Sequence, residues 1–343
     1  MKYLFFILPM AAWWLLTGCE RQLPLPDNHA APRAVVYSEL VAGEVPQVLV
    51  GKSKPVAPGV DNGFILVNNA RVTLMDKSGQ VLEELPYVPD TTRPMSLYQG
   101  KTKLLGGKTY TVKVEVPGLR PITAQPPPTI PPPFKVDLLD TVRTLLNGRP
   151  VLRFHFTVYP LPGVRQYLVM EALKQSVTLD TSFTWQGVRY RKSENEALYD
   201  RVKDKPGIDM KKDSIFLNDF LRIPCYTQDE NADNNQIGGL NENYNSILFT
   251  QMGKPLTTYF YINATALSSS PAEAIAPVGR VQVYVKSVSK EYYDFLLTYE
   301  KVKRNPGLNS LIQAIQLRSN MQGGFGVVGG VYQKLYSLYY DTL

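Results

Sequence analysis

The sequence predicts a mostly-β protein, and three observations carry that prediction. Short segments in which apolar and polar residues alternate recur along the chain, the period of a half-buried strand. The 21 tyrosines and 27 prolines favour strands and turns over helices. One stretch alone, beginning at Ser289, carries a convincing helical spacing of apolar residues.

The first element is an address. Met1-Lys2 is followed by an apolar run from Tyr3 to Leu16, broken only by Pro9, as in an export signal. That run falls short of the roughly 20 apolar residues a membrane span needs. It ends in Leu16-Thr17-Gly18-Cys19, small residues before a cysteine whose thiol can take a diacylglycerol group. Residues 1–18 are therefore expected to be a lipoprotein signal peptide. Cys19 is the expected lipidation site, with palmitate-class acyl chains as the membrane anchor. Residues 19–32 are polar and proline-containing, an expected tether that also holds His29. Cys225 is the only other cysteine, so no intramolecular disulfide is expected once Cys19 is lipidated. Its neighbours Ile223, Pro224 and Tyr226 read as the surroundings of a buried, inert thiol.

The strand signals follow. Ala34 to Leu40 and Gln47 to Val50 are apolar-rich, and Ala70 to Met75 and Gln80 to Leu85 flank a hairpin turn at Asp76-Lys77-Ser78-Gly79. From Lys108 to Val116, Tyr110, Val112, Val114 and Val116 alternate with polar residues. Several short strands in so few residues predict a β-sandwich over 33–120. Pro121 to Pro133 holds seven prolines, which favour a stiff extended conformation and mark a linker.

Residues 134–343 are expected to form a second, larger β-rich domain. In Val151 to Tyr159, Leu152, Phe154, Phe156 and Val158 face one way, and Pro160 to Gly163 turns the chain into an apolar strand at Tyr167 to Met170. Residues 186–219 are polar and mixed, and predict insertions or irregular structure. Arg280 to Val288 alternates again. Ser289 then suits a helix N-cap, and Tyr292, Phe295, Leu296 and Tyr299 form one apolar face, read as core rather than binding site. Lys301, Lys303 and Arg304 complement the helix C-terminus before Asn305-Pro306-Gly307 ends it, and Val331 to Tyr340 closes the chain as a strand.

Catalytic chemistry is sparsely provided for. His155 sits alone on a polar strand face, so a histidine-rich zinc site within one chain is excluded, and a serine–histidine triad would have to recruit this residue. No Gly-x-Ser-x-Gly elbow occurs. Carboxylate pairs can be assembled from distant positions, which leaves a carboxylate-based hydrolase of the envelope as the alternative. Gly324-Phe325-Gly326-Val327-Val328-Gly329 fits the dinucleotide pattern literally but has no helix after it. Gly106-Gly107-Lys108-Thr109 fails as a phosphate loop because Thr102 stands where the first glycine belongs. Asp229, Asn231 and Asp233 place alternate oxygen ligands on one loop, a weak calcium candidate without the glycine at its sixth position. No other cofactor is indicated.

The formal charge is +7, or +6 once residues 1–18, whose single charge is Lys2, are removed. The basic residues are scattered, which argues against nucleic acid as a partner and leaves anionic lipid or an acidic partner open.

Distributed residues carry a resemblance. They are Cys19 with its short tether, Gly107-Lys108-Thr109-Tyr110-Thr111-Val112, the prolines of 126–133, and Pro162-Gly163 with Tyr167. Leu248-Phe249 with Gly253, Ser289 to Tyr293, and Ser319-Asn320-Met321 with Gly324 to Gly329 complete the set. The chain resembles the Bacteroidota outer-membrane lipoproteins of domain-of-unknown-function family forty-two forty-nine. That resemblance implies an N-terminal immunoglobulin-like or transthyretin-like sandwich, a larger β-rich C-terminal domain with one or few helices, and association with a TonB-dependent β-barrel transporter. It implies no catalytic residues. Glu20 is followed by Arg21 and Gln22, so the segment after the lipid cysteine does not choose between the cell-surface and periplasmic leaflets.

The expected function is that of a non-enzymatic, lipid-anchored accessory or binding subunit at the outer membrane. Besides the hydrolase, a purely structural envelope protein stands as an alternative.

Overall fold

A computed structural model of the chain describes residues 31–54, 65–89, 97–234, 244–264, 279–304 and 317–340. Ahead of the proline-rich stretch stand β1 (Ala34–Val41), β2 (Gln47–Lys52), β3 (Ile65–Leu66), β4 (Arg71–Asp76) and β5 (Val81–Leu85). β6 (Tyr87–Val88), β7 (Leu97–Gln99), β8 (Tyr110–Glu115) and β9 (Ile122–Ala124) complete that part. After it come β10 (Val136–Leu146), β11 (Arg149–Val158), β12 (Gln166–Trp185), β13 (Val188–Arg191) and the short helix α1 (Glu196–Val202). β14 (Asp209–Ile223), β15 (Cys225–Tyr226), β16 (Ile247–Gln251), β17 (Leu256–Asn263) and β18 (Gly279–Val288) follow. The last elements are α2 (Lys290–Arg304), β19 (Met321–Gln322) and β20 (Phe325–Tyr340).

The protein is mostly β, and its strands form three sheets among the described residues. An 11-stranded sheet has the main order β13-β12-β18-β20-β1-β2-β7-β6. A 4-stranded sheet, β10-β11-β17-β15, and a 5-stranded sheet, β19-β9-β8-β4-β5, accompany it. The large sheet is continuous because β20 lies parallel to β1, with Val36 opposite Gly326 and Ser38 opposite Val328, and antiparallel to β18. The first and last described strands thus meet in its middle.

Side-chain alternation assigns the faces. On one face, Val36, Leu40 and Val328 join Leu74, Val112, Val114 and Ile122 of the 5-stranded sheet in one core. On the same face, Val281, Val283, Val285, Tyr332 and Tyr336 join Phe154, Phe156 and Phe260 of the 4-stranded sheet in a second. Two smaller sheets are therefore packed side by side on one face of a long one, each making a sandwich. On the opposite face, Val41, Val169, Val288, Val327 and Val331 pack against Tyr292 and Tyr293 of α2.

The proline-rich stretch is fastened along its length. Pro128 and Ile130 carbonyls accept from Tyr110 and Gly107, Ile130 donates to Lys108, and the Ile130 side chain is buried in the first core. Residues 319–331, which the sequence reading assigned to the second unit, contribute Met321 and Val328 to that first core.

The expected strands at 34–40, 47–50, 280–288 and 331–340 fall within observed strands, those at 70–75, 80–85, 108–116 and 151–159 overlap observed strands and overrun them by one or two residues at an end, and the turn at Asp76 closes with its carboxylate accepting from Ser78 and Gln80. One expectation fails. Residues 186–219 are not irregular: they form β13, α1 and most of β14, which pairs with β12 from Thr184↔Asp209 to Ala172↔Ile223. The outer part of this ribbon buries little on either face, so Lys211, Lys212 and Asp213 carry no apolar alternation for a sequence to display. The structure also adds α1, whose Tyr199 meets Phe183 edge-on. Ser289 precedes α2 as expected, but its hydroxyl accepts from Gly330 of β20 rather than from the helix.

Candidate functional site

The helix-bearing face of the long sheet is only partly covered. Tyr292 lies so close to β20 that a Cβ on Gly329 would sit 2.4 Å from its ring Cγ. On the other face, a Cβ on Gly330 would sit 2.5 Å from the Thr129 carbonyl oxygen. These glycines let one strand pass between the helix and the proline-rich segment. Beyond the helix, the face opens as a cleft of about 620 Å³, within the size range of small-ligand sites. Leu49 and Leu97 stand on one side, Leu173 and Phe220 on the other.

The floor of the cleft is charged. β1 sends its even-numbered residues into the first core, which leaves Tyr37 and Glu39 on the cleft side. β18 sends Val281, Val283 and Val285 into the second core, leaving Tyr284 and Lys286 on the cleft side. β12 contributes Glu171, and β14 contributes Arg222. Lys286 Nζ donates to Glu39 Oε2 at 3.0 Å and to Glu171 Oε1 at 2.5 Å. Arg222 Nη1 donates to Glu171 Oε2. Glu39 Oε1 accepts from Tyr292 at 2.5 Å and from Tyr37 at 3.0 Å. Four strands and the helix are tied into one hydrogen-bonded charge cluster.

Burial decides how tightly that cluster is held. The side chains of Lys286 and Glu171 are each 6% exposed, and that of Arg222 is 40% exposed. Burial pushes the Glu39 carboxyl up, but the Lys286 charge and the hydrogen bonds from Tyr292, Lys286 and Tyr37 outweigh it and hold it at about 2. Burial works against the Lys286 ammonium too, and the flanking Glu171 and Glu39 charges raise its pKa all the same. Burial, with the Glu39 charge beside them, raises the Tyr37 and Tyr292 hydroxyls. At neutral pH the carboxylate is charged, the ammonium is charged and both phenols are protonated.

The residues singled out in the sequence lie elsewhere. Cys19 and His29 are outside the described residues, as is most of the tether. Asp229 Oδ1 accepts from the backbone and side-chain amides of Asn231. Asp233 Oδ2 accepts from the hydroxyls of Thr250 and Tyr293. Among the described residues no three or more His, Cys, Asp or Glu side chains converge as a metal site. His155 gains a partner the sequence did not show, Asp140 at 3.2 Å on β10, and stacks on Tyr259 with ring centroids 4.4 Å apart. Cys225 is buried and hydrogen-bonds the Tyr244 carbonyl, and burial raises its thiol well above the ordinary range. Of the expected apolar face of α2, Tyr292 is buried, Phe295 and Leu296 are partly buried and Tyr299 is exposed, and the Tyr292 hydroxyl reaches the charge cluster.

Sequence reading missed Glu39, Glu171, Arg222 and Lys286. One signal was present: Glu171 interrupts the apolar run Leu168-Val169-Met170-Glu171-Ala172-Leu173, where a carboxylate requires a partner.

Fold and cleft define the class, a mostly-β, multi-sheet protein with an open, charge-floored cleft on the helix-bearing face of its largest sheet. The chain belongs to the family described as Domain of unknown function (DUF4249), whose model matches residues 20–336. The match runs from before β1 into β20, through all three sheets. No curated protein matches the chain.

Proposed function

We propose that this chain is a non-enzymatic binding protein, lipid-anchored through Cys19 at the bacterial outer membrane, and an accessory subunit of a β-barrel transporter of the TonB-dependent type. The cleft carries the binding part of this reading. Its floor offers a fixed, mutually neutralised set of charges and apolar walls, an arrangement suited to holding a ligand. The anchor rests on Leu16-Thr17-Gly18-Cys19. No described helix is long and apolar enough to cross a membrane, and acyl chains would supply the attachment instead.

The hydrolase reading has one observation in its favour, since Glu39 and Glu171 converge on Lys286. Glycoside hydrolysis needs one of its carboxyls protonated as a general acid. Glu39, held at about 2, carries no proton to give at neutral pH, and both of its oxygens already accept hydrogen bonds. Binding is the better use of this geometry.

Affinity purification of the tagged chain from gently solubilised outer membranes, with mass spectrometry of what accompanies it, tests the subunit role. A stoichiometric β-barrel partner is expected. A chain that emerges alone from native envelopes overturns the transporter partnership.

A further inference from the structure

We propose that the cleft takes a short zwitterionic peptide, its carboxylate on Arg222 and its ammonium group at Glu44. The assignment rests on the binding reading of the cleft and names the ligand class.

The hydrogen-bonding capacity left on the floor sets the first requirement. Each oxygen of Glu39 and of Glu171 already accepts, from Tyr37, Tyr292, Lys286 or Arg222. Arg222 is different. Its Nη1 reaches Glu171 and, at 3.5 Å, Ser246, while Nε and Nη2 have no acceptor among the described residues. The guanidinium is thus oriented by Glu171, partly exposed and still carrying donors in a planar fork. A planar two-oxygen acceptor matches that fork best.

Charge sets the second requirement. Leaving aside Asp219, which has an interaction of its own, the cleft sets Glu39, Glu44 and Glu171 against Arg222 and Lys286, three carboxylates facing two cations, in a chain whose formal charge is +7. A simple anion would meet a negative surplus. The ligand must therefore bring a cation along with its acceptor. Glu44 is exposed at the rim, where one carboxylate oxygen accepts from Gln333 at 2.9 Å and the other has no partner among the described residues.

The walls set the third. Leu49, Leu97, Leu173 and Phe220 present apolar surface between those polar ends. A carboxylate, an ammonium and apolar side chains on one small molecule describe a peptide of a few residues. A neutral sugar leaves the charges unanswered, a fatty acid lacks the cation, and a polyamine lacks the acceptor.

Isothermal titration calorimetry on the full chain in detergent tests this with the tripeptide Ala-Leu-Ala, its N-acetyl form, its C-terminal amide and, as an uncharged control, maltotriose. The free tripeptide should bind, and each blocked form should bind about tenfold more weakly, the loss of one charge-assisted contact. Arg222→Lys, which keeps the charge but not the fork, should weaken the free tripeptide by a similar factor while leaving the already weak amide nearly unchanged. Glu44→Gln, a surface change that does not threaten folding, should weaken the free tripeptide but not the N-acetyl form. Equal binding of blocked and free peptides overturns the assignment. So does heat from maltotriose alone, although the cleft then remains a binding site for another class. Absence of heat with every peptide also overturns it, while the accessory-subunit reading still stands or falls on co-purification.

Discussion

Two charge clusters on this molecule look alike in composition and differ in surroundings. Under the cleft, Lys286 bridges Glu39 and Glu171 and Arg222 joins Glu171, with Lys286 and Glu171 almost wholly buried. On the 4-stranded sheet, Asp140 takes Arg153 and His155, each at 3.2 Å, with the Asp140 side chain 41% exposed. Arg153 and His155 also lie against the half-exposed ring of Tyr259. Water screens the second cluster, and exposed pairs of this kind contribute about 0–1 kcal/mol. At the centre of the first cluster, Lys286 and Glu171 have little such screening, although Arg222 at its edge is 40% exposed. The charges of this cluster depend on one another, and removing one partner strands the rest. The same residue types therefore form a structural tie in one place and a surface ornament in the other.

Breaking the buried cluster at its centre should have the largest effect. Lys286→Met leaves two buried carboxylates facing each other and is expected to cost about 3–5 kcal/mol, read from the midpoint of urea denaturation. Tyr292→Phe removes one donor to the Glu39 carboxylate and should cost about 1.5–3 kcal/mol by the same measurement. Acid titration sharpens the comparison. Glu39 is held below its ordinary 4.5, so its contribution to stability is complete above 4.5 and disappears as pH falls toward about 2. A Glu39→Gln variant should lack that part of the acid limb in a series of denaturation curves. Lys286 has the opposite sign: its pKa is raised, so its contribution is complete below 10.5 and is lost as pH climbs through the higher folded value. Asp140→Asn, on the exposed cluster, should move stability by less than about 1 kcal/mol, and raised salt should shrink even that. A loss as large as that of Lys286→Met would mean that exposure does not separate the two clusters.

The legible and illegible parts of this fold divide along physical lines. β1, β8, β11 and β18 bury one face each, so their alternation is written locally, and α2 shows its apolar stripe in the same way. The β12–β14 ribbon buries little along its outer part beyond Ser182 and Phe183, and no alternation announces it. The parallel pairing of β1 with β20 joins strands about 290 residues apart, as in Val36↔Gly326, which no local period encodes. Gly329 reads in sequence as the end of a glycine-rich motif, and Gly330 follows it. Their reason is steric: Tyr292 on one side and the Thr129 carbonyl on the other leave no room for a Cβ. The candidate site was hidden for a related cause. Glu39, Lys286 and Arg222 sit at polar positions of alternating strands, where solvated faces are the ordinary expectation, and only the helix and neighbouring strands reveal that this part of the face is covered. The family resemblance was legible because it rests on residues dispersed along the chain, and the matched span, 20–336, covers them all except Cys19.

Binding by this protein is assigned to the cleft. Native mass spectrometry of the chain isolated from its own envelope, compared with a Leu173→Trp variant that fills the cleft from its wall, tests it most directly. A small-molecule mass carried by the wild-type chain and absent from the variant is expected, with the two proteins melting at the same temperature once stripped of ligand. Retention of that mass by the variant, or a wild-type chain that carries nothing and gains nothing from envelope extract, would contradict it.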